Sequence, residues 1–200
     1  MATASSKQSY IATINAMRTI IHAPDSRTTI NWTSGTSTEI FIYPADGSFA
    51  ARNFLFRIST ATVEAESSTF TFFEGITRHL MILKGELELV HEGHYTKHLR
   101  PYDQDVFSGE WSTRSKGKVT DFNLMLKGGA TGSLRHRAVE GGTETFLMDA
   151  DFQAIYIASG SMQSPEGLTI GTGDLIQMSK EQSLQLSGTA DLIEIRVMVP

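Results

Sequence analysis

The stretch Glu74-Gly75-Ile76-Thr77-Arg78-His79-Leu80-Met81-Ile82-Leu83-Lys84-Gly85-Glu86 decides how the rest of the chain is interpreted. Its apolar run from Leu80 to Leu83 ends near Gly85, which predicts a β-strand followed by a turn. Successive strand residues point to opposite faces of a sheet. One face carries Arg78, Leu80 and Ile82, and the other carries His79, Met81 and Leu83. A permanent positive charge is unusual on a core strand but ordinary on a strand that lines a pocket.

This stretch resembles the first cupin motif, in which two histidines, a glutamate and a later glycine hold a metal inside a small β-barrel. Counting seven positions back from Gly85, the place of the glutamate is held by Arg78. The upstream histidine places fall among residues 71–74, which are Thr, Phe, Phe and Glu. A guanidinium stands where the motif has a metal ligand, so we expect an anion site with no metal and no cofactor.

The composition narrows the class of protein. A chain of 200 residues is long enough to bury a core without disulfides, and it contains no cysteine. The formal net charge of −5, without any long Lys/Arg cluster, argues against binding to nucleic acid. No signal-peptide pattern begins the chain, and no apolar run approaches the roughly 18 residues that a membrane span needs. We therefore expect a soluble cytoplasmic protein that does not bind membranes.

An all-β fold is predicted from Arg18 onward. Short runs of Thr, Ile, Val and Phe are broken by Gly, Asp, Ser or Pro about every ten residues, which is typical of sandwiches and barrels. A weak internal repeat accompanies this pattern. Residues 81–85 and 99–103 can be aligned with residues 156–160 and 170–174, with a connection four residues shorter in the second copy. The repeat predicts a bicupin, with two β-barrel or jelly-roll-like halves packed together.

These observations give three segments. Residues 1–17 form an N-terminal lead-in, residues 18–129 the first cupin half, and residues 130–200 the second. Halves that exchange strands would form one compact unit.

Two further strands place polar residues on a face that also carries apolar ones. Arg57 and Ser59 alternate within one strand, and Asp121 and Asn123 alternate within another. Together with Arg78 they are the candidate ligand-binding residues. A guanidinium can hold a carboxylate through two parallel hydrogen bonds, so the expected ligand carries a carboxylate. We identify no catalytic residue, because no histidine has the spacing of a Ser-His-Asp arrangement.

Five segments of the chain, in order and spacing, carry a resemblance to a known family. They are Trp32-Thr33-Ser34-Gly35-Thr36-Ser37-Thr38-Glu39-Ile40, Tyr43-Pro44, Phe56-Arg57-Ile58-Ser59-Thr60-Ala61, Phe70-Thr71-Phe72-Phe73-Glu74-Gly75-Ile76-Thr77-Arg78 and Asp121-Phe122-Asn123-Leu124-Met125. They resemble the HutD/Ves family over residues 18–129. The family's Trp-x-Asn-Gly-Gly run reads Trp32-Thr33-Ser34-Gly35-Thr36 here, which puts any contact from that asparagine in doubt.

The resemblance implies a bicupin without an established enzymatic activity. HutD proteins are associated with bacterial histidine utilisation, where regulation through binding of a small pathway metabolite has been proposed. By this analogy we expect a non-enzymatic protein that binds a small carboxylate such as formate, formylglutamate or urocanate, with a regulatory role in histidine utilisation.

Three alternatives stay open on the sequence alone. Internal carboxylates, namely Glu39, Glu74 or Asp121, would make the arginines purely structural. A metal-dependent cupin enzyme would need unrecognised ligands, such as His79 with Glu74 and His98. An interaction scaffold would have a vestigial pocket and form a homodimer through an outer sheet face. The histidines at 91, 94 and 98 are expected to diverge on an exposed loop and not to bind a metal.

Overall fold

The protein consists almost entirely of β-strands. The computed structural model describes residues 10–14, 17–178 and 183–200, with the backbone alone described for residues 10–14, 17, 18 and 26. The one helical segment in these ranges is a 3-10 turn at Pro24–Ser26, and none of their helices could cross a membrane. The predicted all-β class is confirmed.

The strands follow one another with short connections. In chain order they are β1 Tyr10–Ile14, β2 Met17–His22, β3 Thr29–Trp32, β4 Gly35–Tyr43, β5 Phe56–Val63, β6 Ser67–Thr69, β7 Ile76–Gly85, β8 Leu87–His91, β9 Tyr95–Leu99, β10 Gln104–Ser108, β11 Thr113–Lys116, β12 Val119–Lys127, β13 Thr131–Leu147, β14 Phe152–Gln163, β15 Thr169–Gly171, β16 Leu175–Met178 and β17 Ser183–Met198.

The chain divides into two compact units. One contains residues 28–131 with Pro200, and the other contains the described residues up to Arg27 together with the described residues of 132–199. This differs from the predicted boundaries, which placed residues 18–27 in the first half and treated residues 1–17 as a lead-in. The difference arises because β2 pairs with β1 and with β16, and Ile21 is fully buried in the core of the second unit. Alternation identifies a strand but not the sheet that it joins.

The unit of residues 28–131 contains two open antiparallel sheets. The six-stranded sheet has the order β10-β7-β12-β5-β4-β3, and the four-stranded sheet has the order β6-β11-β8-β9. Alternation of side chains explains the burial, which is strictly periodic in β8. A core cluster including Leu80, Ile82, Leu89 and Phe107 draws on both sheets. This is the jelly-roll form of the predicted cupin half.

The other unit is built on one sheet among the described residues. Its order is β1-β2-β16-β14-β17-β13, and β15 pairs with β14. The long strands β14 and β17 form its centre, with Ile155, Ile157 and Leu192 almost completely buried in one core cluster.

The internal repeat is present in the backbone geometry of the two units. In β7 the residue Leu83 is an extra residue in the pairing with β12, and in β14 the aligned residue Ala158 is extra in the pairing with β17. Each bulge lies two residues before a glycine with positive φ, +85° at Gly85 and +78° at Gly160. The second copy therefore reproduces a local backbone feature of the first, and not only its residue types.

A turn further along each copy, at residues 100–103 and 171–174, is also repeated. The amide of Ile82 donates to the carbonyl of Asp103, and the amide of the aligned Ile157 donates to that of Asp174. Each aspartate in turn accepts a hydrogen bond from the amide three residues before it. The first copy has Tyr102 at φ 68°, where the second has Gly173 at φ 92°. The first copy thus forms this turn with a tyrosine, which tolerates a positive φ less well than the glycine of the second copy.

We expect Gly160→Ala to lower the thermal stability of the protein much more than Gly141→Ala does. Both glycines have φ near +78°, so alanine costs about 1–2 kcal/mol of backbone strain at either position. A Cβ at residue 160 would also lie 2.2 Å from the carbonyl oxygen of Thr189, whereas nothing lies within 4 Å of one at residue 141. This overlap should add roughly 1–3 kcal/mol. Thermal unfolding followed by circular dichroism measures both, and equal losses would contradict the packing of β14 on β17.

Candidate functional site

The pairing of three strands brings the five predicted site residues onto one face of the six-stranded sheet. The central strand β12 lies between β5 and β7. Its residue Met125 is opposite Arg57 on one side and Arg78 on the other. Two residues along, Asn123 is opposite Ser59 in the same way. Because opposite residues of paired strands share a face, the alternation of each strand carries its polar residues to the same place.

A cavity of about 330 Å³ lies over this face, within the unit of residues 28–131. All five predicted residues line it. The complete lining is Ile30, Trp32, Ser37, Phe49, Ala50, Arg52, Arg57, Ser59, Ala61, Val63, Ser68, Thr69, Phe70, Thr71, Phe73, Arg78, Asp121, Asn123 and Met125. The five predicted residues are buried, whereas Ile30, Trp32 and Arg52 are exposed, so the cavity has a polar floor and a mouth that reaches solvent.

A β-bulge in β4 lies beside Ser59, a residue of the cavity floor. Ile40 is the extra residue, since Glu39 pairs with Ser59 and Phe41 with Ile58. The bulge turns Phe41 away to stack on Phe56, with ring centroids 5.7 Å apart, while Glu39 keeps its place beside Ser59. Bulges of this kind commonly re-aim side chains next to functional sites.

Arg57 is already well provided with partners inside the protein. Its Nε donates to Oε2 of Glu39 at 2.8 Å, and its Nη1 donates to Oγ of Ser59 at 2.8 Å. Its Cζ also lies 4.1 Å from the centroid of the Phe49 ring, a cation–π contact. Burial lowers the pKa of Arg57, and Glu39 opposes this. The alternative of a charge-paired structural arginine therefore describes Arg57, with Glu39 as its partner.

Arg78 is in a different situation. Its guanidinium is buried, and its one hydrogen bond among the described residues is from Nη2 to Oδ1 of Asn123, at 3.3 Å. Its Nε has no hydrogen-bond partner within that part of the chain, and no described carboxylate forms an ion pair with it. The rings of Phe70 and Phe107 lie 4.6 and 5.4 Å from its Cζ. Burial lowers the pKa of Arg78 to about 10, an effect that the charge of Asp121 opposes.

Asp121 provides the negative charge of the floor without bonding directly to either arginine. Its Oδ1 accepts a hydrogen bond from Nδ2 of Asn123 at 3.2 Å, and Asn123 in turn accepts from Arg78. The amide therefore connects the carboxyl and the guanidinium. Burial raises the pKa of Asp121 to about 6, although Asn123 and Arg78 both act to lower it. The floor thus holds a carboxyl that is only moderately acidic beside an incompletely bonded cation.

The residues of the metal-enzyme alternative do not come together. Glu74 and His98 are exposed, and Nε2 of His98 lies 3.2 Å from Glu88, whereas His79 is buried. Throughout residues 19–178 and 183–200, apart from residue 26, no three His, Cys, Asp or Glu side chains are grouped so that they could hold a metal.

One histidine prediction is wrong. His91 does not lie on an exposed loop but is buried, because it is the last residue of β8 and faces the core. Its Nε2 is 2.9 Å from Oδ2 of Asp105, and its Nδ1 is 2.8 Å from Oγ1 of Thr113. Lys97 also donates to Asp105, at 2.9 Å. These residues form a polar network in which Thr113 is fully buried and the buried His91 and Asp105 both have hydrogen-bond partners.

Aromatic residues contribute more to the site than the sequence indicated. Phe70 covers the Arg78 guanidinium, with its ring centroid 4.6 Å from Cζ. Phe49 was not singled out, yet it covers Arg57. It lies between β4 and β5, where no alternation exists to predict its direction.

We expect Asp121→Asn to change how stability depends on pH. The folded pKa of about 6 is above the ordinary 3.8, so the folded protein binds this proton more tightly than the unfolded chain. The stabilisation is complete below the unfolded pKa and is lost as the pH rises through about 6. Two pKa units correspond to about 3 kcal/mol. Relative to the variant, the native protein should therefore lose about 3 kcal/mol in free energy of unfolding between about pH 3 and pH 7, measured by denaturant titration.

Asp46→Asn is the matched control, because Asp46 is exposed in a turn. Its stability should stay parallel to that of the native protein across the same range. Parallel curves for Asp121→Asn as well would show that the carboxyl is not buried in solution.

The chain is similar to proteins of one bacterial family. The HutD family model matches residues 25–194. An uncharacterized 21.2 kDa protein in the hutC 3′ region of Pseudomonas putida is 30% identical over 156 residues, which cover 71% of this chain and 79% of that protein.

Solved structures show the same fold. A conserved protein of unknown function from Pseudomonas aeruginosa PAO1 superposes with a TM-score of 0.77 at 21% identity, covering 90% of this chain and 99% of that one. HutD from Pseudomonas fluorescens SBW25, in a formate condition, gives 0.72 at 21% identity, with coverage of 90% and 98%. The cupin-fold pirin YhhW of Escherichia coli, in complex with nickel(II), gives 0.66 at 12% identity, with coverage of 91% and 99%. The fold is cupin-like, and the chain belongs to the HutD family.

Proposed function

We propose that the protein is a non-enzymatic binding protein for a small carboxylate metabolite, with Arg78 as the anchor. The observation that carries this proposal is the buried Nε of Arg78, which has no partner among the described residues and belongs to a side chain that lines a cavity. Leaving a buried charged donor unpaired is costly. A ligand that accepts from this guanidinium would recover that cost.

A carboxylate suits the Arg78 guanidinium better than a neutral acceptor does. Two oxygens can accept from the planar fork at once, and the surrounding rings keep the local dielectric low. Arg57 contributes positive potential, but two of its donors already form hydrogen bonds with Glu39 and Ser59. Asp121 and Asn123 complete the polar floor, and Asn123 keeps Arg78 in position. The five residues thus have unequal roles in the proposed site.

The volume of the cavity favours ligand binding over a scaffold with a vestigial pocket. A cavity of about 330 Å³ lies within the range of roughly 300–1,000 Å³ that is typical of small-molecule sites. A barrel filled with side chains would have no such space. The metal-enzyme alternative has no supporting group among the described residues.

Membership of the HutD family supports a role linked to histidine utilisation. The relative encoded in the hutC 3′ region has that genomic setting, and the HutD structure from P. fluorescens was obtained in a formate condition. We therefore propose formate, formylglutamate or urocanate as the ligand, with a regulatory outcome. A cytoplasmic location and association into a homodimer through an outer sheet face stay predictions.

Arg78→Met should weaken carboxylate binding by at least about 30-fold. The variant keeps most of the volume of the side chain but removes the charge, and loss of one partner of a buried charge pair costs roughly 2–5 kcal/mol. Isothermal titration calorimetry with formate, formylglutamate and urocanate measures the change.

Arg114→Ala is the control for the change in net charge. Arg114 is exposed, pairs with Glu92 and does not line the cavity, so its variant should bind like the native protein. Equal affinity of the native protein and Arg78→Met would rule out the anchor assignment, provided that thermal unfolding shows both to be folded.

A further inference from the structure

We infer that the cavity selects monocarboxylates that carry a flat aromatic or apolar body, so that formate and the dicarboxylate formylglutamate are the weaker of the three proposed ligands. This inference rests on the proposed function, because it defines the ligand class of the same site. It follows from three features of the lining: the number of available cationic positions, the chemistry of the walls and the size of the space.

The floor offers one incompletely bonded cation. Arg57 is held by Glu39, Ser59 and the Phe49 ring, so the described part of the floor has Arg78 as its one arginine with an unpartnered buried donor. The carboxyls of Glu39 and Asp121 lie nearby and would repel a second anionic group. One carboxylate therefore matches the floor.

A third arginine, Arg52, lies at the mouth of the cavity. It is exposed and its Cζ lies 5.1 Å from the centroid of the Phe73 ring. Ion pairs with exposed arginines contribute little, because both charges remain hydrated. A second carboxylate placed at Arg52 would therefore gain little interaction energy. It would also lose part of its hydration, because the adjacent walls are apolar.

The walls above the floor are mainly apolar. Phe70 and Phe73 lie beside Arg78, and Val63 and Met125 line the interior. At the mouth, Ile30 and Trp32 are 46% and 37% exposed on the edge strand β3. Large apolar side chains grouped around an opening commonly mark a binding surface. A flat apolar body would cover them while its carboxylate reaches Arg78.

The space is too large for the smallest candidate. At the roughly 30 Å³ that one water occupies in the liquid, 330 Å³ corresponds to the volume of about eleven water molecules. Formate has three heavy atoms and would leave the apolar walls uncovered. Benzoate has nine and combines one carboxylate with one flat ring.

Calorimetry with four probes tests the inference on the full chain. The probes are benzoate, formate, glutarate as a dicarboxylate, and benzamide as the neutral counterpart of benzoate. We expect benzoate to bind at least about tenfold more tightly than formate or glutarate, since it alone buries the walls. Benzamide should bind at least about tenfold more weakly than benzoate, because it lacks the charge.

Two exposed aromatic residues provide a matched pair of variants. Trp32→Ala should weaken benzoate binding at least about fivefold and leave formate binding unchanged. Phe72 is 58% exposed on the same unit but does not line the cavity, so Phe72→Ala should change neither.

Each contrary outcome has a distinct meaning. Equal affinity for formate and benzoate, or no effect of Trp32→Ala, would overturn the inference and leave the proposed function intact. Tightest binding of glutarate, lost in Arg52→Ala, would overturn it in favour of dicarboxylates. Absence of binding by all carboxylates, including urocanate and formylglutamate, would overturn the proposed function together with the inference.

Discussion

The register of β12 between β5 and β7 is the constraint on which the site depends. Side chains alternate along a strand, so a slip of one residue on either side would move Asp121 and Asn123 to the opposite face. Their places would be taken by Phe122 and Leu124, which are fully buried on that opposite face. A slip would place these apolar groups on the polar floor and would move two polar groups into an apolar core without their hydrogen-bond partners, which is costly. The polar floor is therefore maintained by the apolar residues behind it.

The two arginines show how similar residues on one face acquire different roles. Arg57 and Arg78 flank Met125 at equal distance in the pairing, and both contact aromatic rings. They differ because a carboxylate reaches Arg57 directly, whereas the carboxyl nearest to Arg78 acts through an amide. An amide can orient a guanidinium but cannot neutralise it. The first arginine is thereby mainly structural, and the second retains bonding capacity.

Periodic features of the fold and the site could be predicted from the sequence, and features without periodicity could not. Alternation put Arg57 with Ser59, and Asp121 with Asn123, on one face of each strand, because their spacing is even. That these faces meet Arg78 in one pocket depends on strand pairing, which alternation does not predict. The pairing of Glu39 with Arg57 could only be named as one of three options, since the bulge at Ile40 has no signal in the sequence. The burial of His91 was missed because the adjacent Glu-Gly turn suggested a loop. The contact of Phe49 with Arg57 could not be predicted, because Phe49 lies in a connection without periodicity. The assignment of β2 to the second unit could not be predicted either, because β2 pairs with β16, which lies more than 150 residues later in the chain.

The discontinuity of the second unit has a consequence for synthesis. The segment of residues 28–131 is continuous and contains the cavity, whereas β2 pairs with β16, which the ribosome produces much later. The strands of residues 28–131 can therefore form their hydrogen-bonded ladders before β16, the neighbour of β2, has been synthesised. Domains that fold as units during synthesis usually do so from the N-terminus. Here the middle of the chain has all the strands of its own sheets before the other unit has all of its strands.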